Sequence, residues 1–151
     1  MGTRARSIVG IAATLSALSL LTGCSALFGT PRDENGRVTE TSVIGSTDLL
    51  VGDCFSFVDG SNNSEAEVTP CENDHAYIVI GQGELSSSEV DSAGSLQNAV
   101  SAACADPFAD FKAAAAEGTK PDQEFIVSTK EVDGKDVTSY HCVATDAPAA
   151  G

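Results

Sequence analysis

The sequence predicts an α+β fold: one small domain with a mainly antiparallel sheet, a packed helical segment and two disulfides. Three observations predict it. Runs rich in β-branched and aromatic residues flank a single stretch of helical period, giving the order β-β-β-α-β-β. Four cysteines, Cys54, Cys71, Cys104 and Cys142, are spread through those elements. Ahead of everything, Arg4 and Arg6 precede an uncharged apolar run over residues 8–21, the pattern of an export signal, which places the cysteines in an oxidising compartment.

Residues 24–47 are polar and weakly patterned, with Pro31 and Asn35-Gly36, and are expected as a flexible tether. Val38, Val43 and Ile44 give its end the makings of a short edge strand. The domain is expected over residues 48–145. Gly52-Asp53 marks a turn, residues 54–58 a strand, residues 59–64 a loop, and residues 65–69 a returning strand that ends at Pro70-Cys71. After the polar break at Glu72-Asn73-Asp74, residues 76–80 are β-favouring and form the expected central strand, closed by Gly81 and Gly83. The serine-rich, acidic residues 86–94 are expected as a solvent loop.

Ser95 is placed to cap a helix in which Leu96, Val100, Ala103 and Cys104 fall at i, i+4, i+7 and i+8, one buried stripe. Pro107 is expected to interrupt it, with Asp106 capping a second segment that sets Phe108 and Phe111 in the core and ends at Gly118. Phe125-Ile126-Val127 reads as a core strand leading to Val132. Asp133-Gly134 is a tight turn, and residues 137–144 are the last strand. Residues 146–151 are expected to fray.

Loss of the first 23 of 151 residues leaves 128, one domain's worth, and removes Arg4 and Arg6, so the net charge goes from −14 to −16. That balance excludes nucleic acid as a partner, and without a polybasic patch it excludes adsorption on anionic headgroups. Four cysteines allow three pairings. The local one joins Cys54 to Cys71, 17 positions apart across a hairpin, and leaves Cys104 with Cys142, a helix stapled to a late strand. A four-cysteine metal site is the alternative, but the close C-x-x-C pairs such sites favour are missing.

Leu21-Thr22-Gly23-Cys24 ends the apolar run and resembles a bacterial lipobox. The resemblance implies cleavage before Cys24, a diacylglycerol thioether on its sulfur and acylation of the new amino end. With each buried methylene contributing about 0.8 kcal/mol, two or three acyl chains anchor firmly. The expected location is therefore the outer face of the cytoplasmic membrane, with Cys24 as the lipidation site.

Leu49 with Val51-Gly52-Asp53-Cys54-Phe55, then Val68-Thr69-Pro70-Cys71 with His75, then Cys104 with Phe108 and Phe111, then Cys142-Val143, resembles the septum formation domain of actinobacterial exported proteins and lipoproteins. The resemblance covers residues 48–145. It departs from the family at one point: the family carries a Trp shortly before its last cysteine, whereas this chain has none and Thr138-Ser139-Tyr140-His141 stands there. The resemblance implies a link to division or envelope growth and licenses no reaction.

For chemistry, the best local cluster is Glu72, Asp74 and His75, an imidazole between carboxylates with the makings of a cation or small-ligand contact. The plainer reading is that His75 orders the turn after Cys71 by bonding to backbone. His141, beside Cys142 on a strand, points to the opposite face and is expected at the solvent. Oxidised cysteines and loop serines offer no nucleophile with a neighbouring base, so no catalytic residue, enzyme activity or cofactor is expected. The expected role is a non-catalytic lipoprotein presenting its domain to an envelope protein or to cell-wall material. A ligand- or cation-binding lipoprotein is the alternative, and a hydrolase-like envelope enzyme the last.

Overall fold

A computed structural model describes residues 29–145. The expected export signal over residues 1–23, the expected lipidation at Cys24 and the expected fraying of residues 146–151 fall outside the described residues. The fold is α+β, with one six-stranded antiparallel sheet, a helical layer and two disulfides. The strands are β1 (Ser42–Gly45), β2 (Cys54–Phe57), β3 (Glu65–Thr69), β4 (Tyr77–Ser86), β5 (Gln123–Val132) and β6 (Lys135–Thr145), and the helices are α1 (Ser87–Ala93) and α2 (Leu96–Ala114). Across the sheet the order is β1-β3-β2-β4-β6-β5.

Side chains alternate across the long strands, so each strand feeds two cores. On one face Phe55, Ala66, Val68, Val79 and Val143 bury together with Val38 and Leu49. On the other, Leu85 and Cys142 meet Ala99, Val100 and Cys104 of α2. The Cys104–Cys142 disulfide crosses this second core, while Cys54–Cys71 ties the start of β2 to the residues just after β3. Between Val79 and Gly81 the β4–β6 register slips, a bulge that turns Gly81 toward the helix.

Four expectations are corrected. The first concerns residues 29–47, which are docked and not a free tether. Arg32 pairs with Val38 in a bridge and reaches Asp53 with both guanidinium nitrogens, at 2.6 and 2.7 Å. Asp53 is 2% exposed, Val38 is buried, and β1 adds to β3 beyond them. A buried carboxylate needs a partner, and Arg32 supplies a bidentate one. The domain therefore begins near residue 30 and not at residue 48.

The second is the loop expected over residues 86–94, most of which is α1. Ser86 and Glu89 form a reciprocal capping box, and Gly94, at φ 80°, closes the helix with its N–H on the Asp91 carbonyl at 3.1 Å. The third is α2, which runs unbroken through Pro107. Gly81 lies directly beneath the ring: a Cβ there would stand 3.1 Å from Pro107 Cγ and 3.3 Å from Cys142 Sγ. Bare sheet backbone thus lets the ring seat closely, and the nearby disulfide from Cys104 holds the same stretch of helix down. Phe108 and Phe111 are only half-buried and belong to neither core.

The fourth is β5, which is an edge strand and not a core strand. Phe125 and Ile126 are half-buried, but Val127 is 46% exposed, and every residue from Val127 to Val132 faces solvent.

Candidate functional site

The turn after β3 is built by hydrogen bonds among its own residues. Asn73 donates its backbone N–H to the Pro70 carbonyl at 2.9 Å and its side-chain amide to Thr69 Oγ1 at 2.9 Å. His75 Nδ1 donates to the Asn73 carbonyl at 2.7 Å, the backbone bond that orders the turn. Glu72 and Asp74 are exposed on its outside. Among the described residues, no group of three or more His, Cys, Asp or Glu side chains is arranged to hold a metal ion. The structure thus brings Glu72, Asp74 and His75 into one turn.

His141, expected at the solvent, is buried at 6% exposure. Its Nε2 donates to the Leu49 carbonyl at 2.9 Å, which fixes the proton on that nitrogen. This contact pins the segment between β1 and β2 onto β6. The reason for the correction is the stretch around Leu49, between β1 and β2, which lies over His141 and shields it from solvent.

A feature that no motif announced lies along β5. The 3-10 turn Ser46–Asp48 packs against β5 and β6, and the β2–β3 turn stands across from β5. A groove of about 520 Å³ runs between them. Phe57, Ile126 and Val143 give it an apolar lining; Asn62, Asn63 and Ser64 form its far wall. Phe57 is held in place, its ring 5.3 Å from Phe55 edge-to-face and 5.4 Å from Tyr77. The wall is also braced. Asn62 and Asn63 both sit in the left-handed region, at φ 52° and 63°, a conformation Asn tolerates better than most residues. Ser61 Oγ donates to the Val58 carbonyl and Ser64 Oγ to the Ser61 carbonyl, each at 2.7 Å.

The backbone of β5 has a defined polarity toward this groove. Val132 and Lys135 flank a two-residue turn whose Asp133 and Gly134 both have positive φ, so that pair exchanges ladder hydrogen bonds. Such pairs alternate along an antiparallel ladder. The bond from Thr145 N–H to the Asp122 carbonyl, at 3.0 Å, continues the same parity at the far end. The even-numbered residues of β5 therefore bond to β6. Gln123, Phe125, Val127, Thr129 and Glu131 turn their N–H and C=O groups outward.

Sequence reasoning missed this site because it is made from a segment read as a loop and a strand read as core. The signal that marks β5 as an edge is its charge: Glu124, Lys130 and Glu131 have no place in a strand buried on both sides. No known family matches the chain, and neither a curated protein nor a solved structure resembles it significantly.

Proposed function

We propose that the chain is a lipoprotein anchored through Cys24 at the outer face of the cytoplasmic membrane, whose stapled domain binds another envelope protein and catalyses no reaction. The observation that carries the binding half is the groove beside β5, with a preformed apolar lining and a braced polar wall. The anchoring half is supported by the charged start, the apolar run and Leu21-Thr22-Gly23-Cys24. The order Cys54, Cys71, His75, Cys104, Cys142 resembles the septum formation domain and supports a place in division or envelope growth.

Two readouts in intact cells test the proposal. Metabolic labelling with an alkyne fatty acid should mark the full chain and send it to the detergent phase, and Cys24→Ser should abolish both. A photo-reactive residue at Asn63 or Ser128 should yield a discrete protein adduct, while one at Ser101, on the exposed side of α2, should not. Absence of labelling sinks the anchor. Absence of adducts from every surface position sinks protein binding.

A further inference from the structure

Resting on that reading, we propose that the groove accepts one extended, basic segment of a partner protein, which adds to the outer edge of β5 as a seventh strand. Three observations converge on that occupant. The first is hydrogen bonding. Gln123, Phe125, Val127, Thr129 and Glu131 present their backbone groups away from β6, and no bond from another part of the described chain takes them. An added strand satisfies such groups in register, as in other cases of strand addition.

The second is how few of the usual guards the strand carries. Edge strands are protected by being short, by proline, by bulges or by a covering element. At the opposite edge β1 is only four residues long. β5 has ten residues, pairs with β6 at every position without a register shift, and contains no proline. Its guards are charges alone, Glu124, Glu131 and Lys130, and Lys130 leans inward across the sheet to Glu84, 3.4 Å away.

The third is chemistry. An added strand turns alternate side chains to opposite faces. One set would meet the lining of Phe57, Ile126 and Val143, which asks for apolar residues. Of the acidic side chains nearby, Glu124 lines the groove, while Asp48 and Glu65, both exposed, adjoin its lining residues Thr47 and Ser64 in sequence. With a chain charge of −14 behind them, the complementary segment is basic. A second copy of this chain is the wrong occupant on both counts. It would bring a further −14 and would have to fit its own β6 hairpin against the wall at residues 62–64.

The test uses the mature lipidated chain in a neutral detergent and a synthetic ten-residue peptide of alternating Lys and Val. Backbone amides are followed by hydrogen exchange. Without peptide, the outward amides of Phe125, Val127 and Thr129 should exchange fast and those of Glu124, Ile126 and Ser128 slowly. Saturating peptide should slow the outward set at least tenfold. The matching Glu-Val peptide should bind at least tenfold more weakly, as should a Lys-Val peptide N-methylated on alternate residues.

Val127→Pro should abolish the protection while leaving the fold intact, because the N–H it removes makes no ladder bond. Unchanged exchange of the outward amides on peptide addition overturns the proposal, as does equal binding of the N-methylated peptide. So does self-association of the peptide-free chain in sedimentation that Val127→Pro abolishes. Should the amides stay unprotected while cellular adducts form elsewhere on the domain, strand addition fails and the binding reading stands. Should no adducts form anywhere, both fail.

Discussion

On one face of the sheet a 19-residue helix, α2, lies over Leu85 and Cys142; on the other, an arm with little regular structure is laid over Phe55, Val68 and Val79. The helix is held by a repeating apolar stripe and a disulfide, all of it at the helix–sheet contact. The arm is held at separate points: Arg32 on Asp53, Val38 in the core, and the Leu49 carbonyl on His141. A periodic element spreads its stabilisation over many small contacts. An irregular one concentrates it, so single residues there matter more and leave fewer traces in the sequence.

The largest effect should come from the helix-covered face. Replacing Cys104 and Cys142 together by Ala removes a crosslink spanning 38 positions, which chain entropy values at about 4 kcal/mol. Chemical denaturation of the full chain should show that loss, and a smaller one of about 3 kcal/mol when the 17-position link between Cys54 and Cys71 is removed. An inverted order would mean that the arm side carries the stability.

Arg32→Ala strikes the arm at its main fastening. Asp53 would keep only the Leu50 N–H at 2.8 Å, a buried carboxylate without its cation. We expect a loss of about 3 kcal/mol. The hydrogen bonds to Asp53 also hold the Arg32 guanidinium above its ordinary pKa, so the pair persists through the alkaline range and should not weaken below pH 10. Combined with loss of the Cys104–Cys142 link, the two effects should add, since they lie on opposite faces. Strong coupling between them would join the two faces into one unit.

Gly81→Ala tests the seating of the helix. Its Cβ would meet Pro107 at 3.1–3.2 Å and Cys142 Sγ at 3.3 Å, and the cost should be about 2 kcal/mol of overpacking. Peptide-groove binding, on the other face, should be unaffected.

The smallest effect is at α1. The Ser86 hydroxyl, and then its backbone N–H, hold the Glu89 carboxyl below its ordinary value of 4.5. A carboxyl depressed by folding contributes its stability above its unfolded pKa and loses it as pH falls through the lower folded value. Acidification from pH 5 to pH 3 should therefore loosen α1 in the wild type. Glu89→Gln should flatten that dependence, read as hydrogen exchange of the first-turn amides.

What was legible follows the same division. Leu96, Val100 and Cys104 of the expected stripe, the hairpin signal at Asp133-Gly134 and the alternating strands all depend on local pattern, and the structure contains each of them. Ala103, the stripe's fourth member, is half-buried outside the core, and Ala99 is buried there instead. The cap at Ser95 is likewise local, and its hydroxyl accepts the Asn98 N–H at 3.2 Å. The α1 signature, Ser86 three residues before Glu89, was present but masked by serine-rich composition. Arg32 lies 21 positions from Asp53, and no period links them. The groove is less legible still, because its walls come from residues 57–64 and 124–128 and meet only through the curl of the sheet.

The docked arm also sets how far this protein can act. Its described chain is already fastened at Thr30, where Ser42 Oγ donates to the Thr30 hydroxyl at 3.4 Å. With the lipid we propose on Cys24, five residues lie between the anchor and Thr30, a reach of six Cα–Cα steps. Fully extended, they span about 20 Å. The domain then behaves as a reactant confined to a thin layer and not as a probe cast across the envelope. With that proposed anchor it would meet partners that share or graze the same membrane, at a local concentration fixed by the short leash and not by its abundance in the compartment.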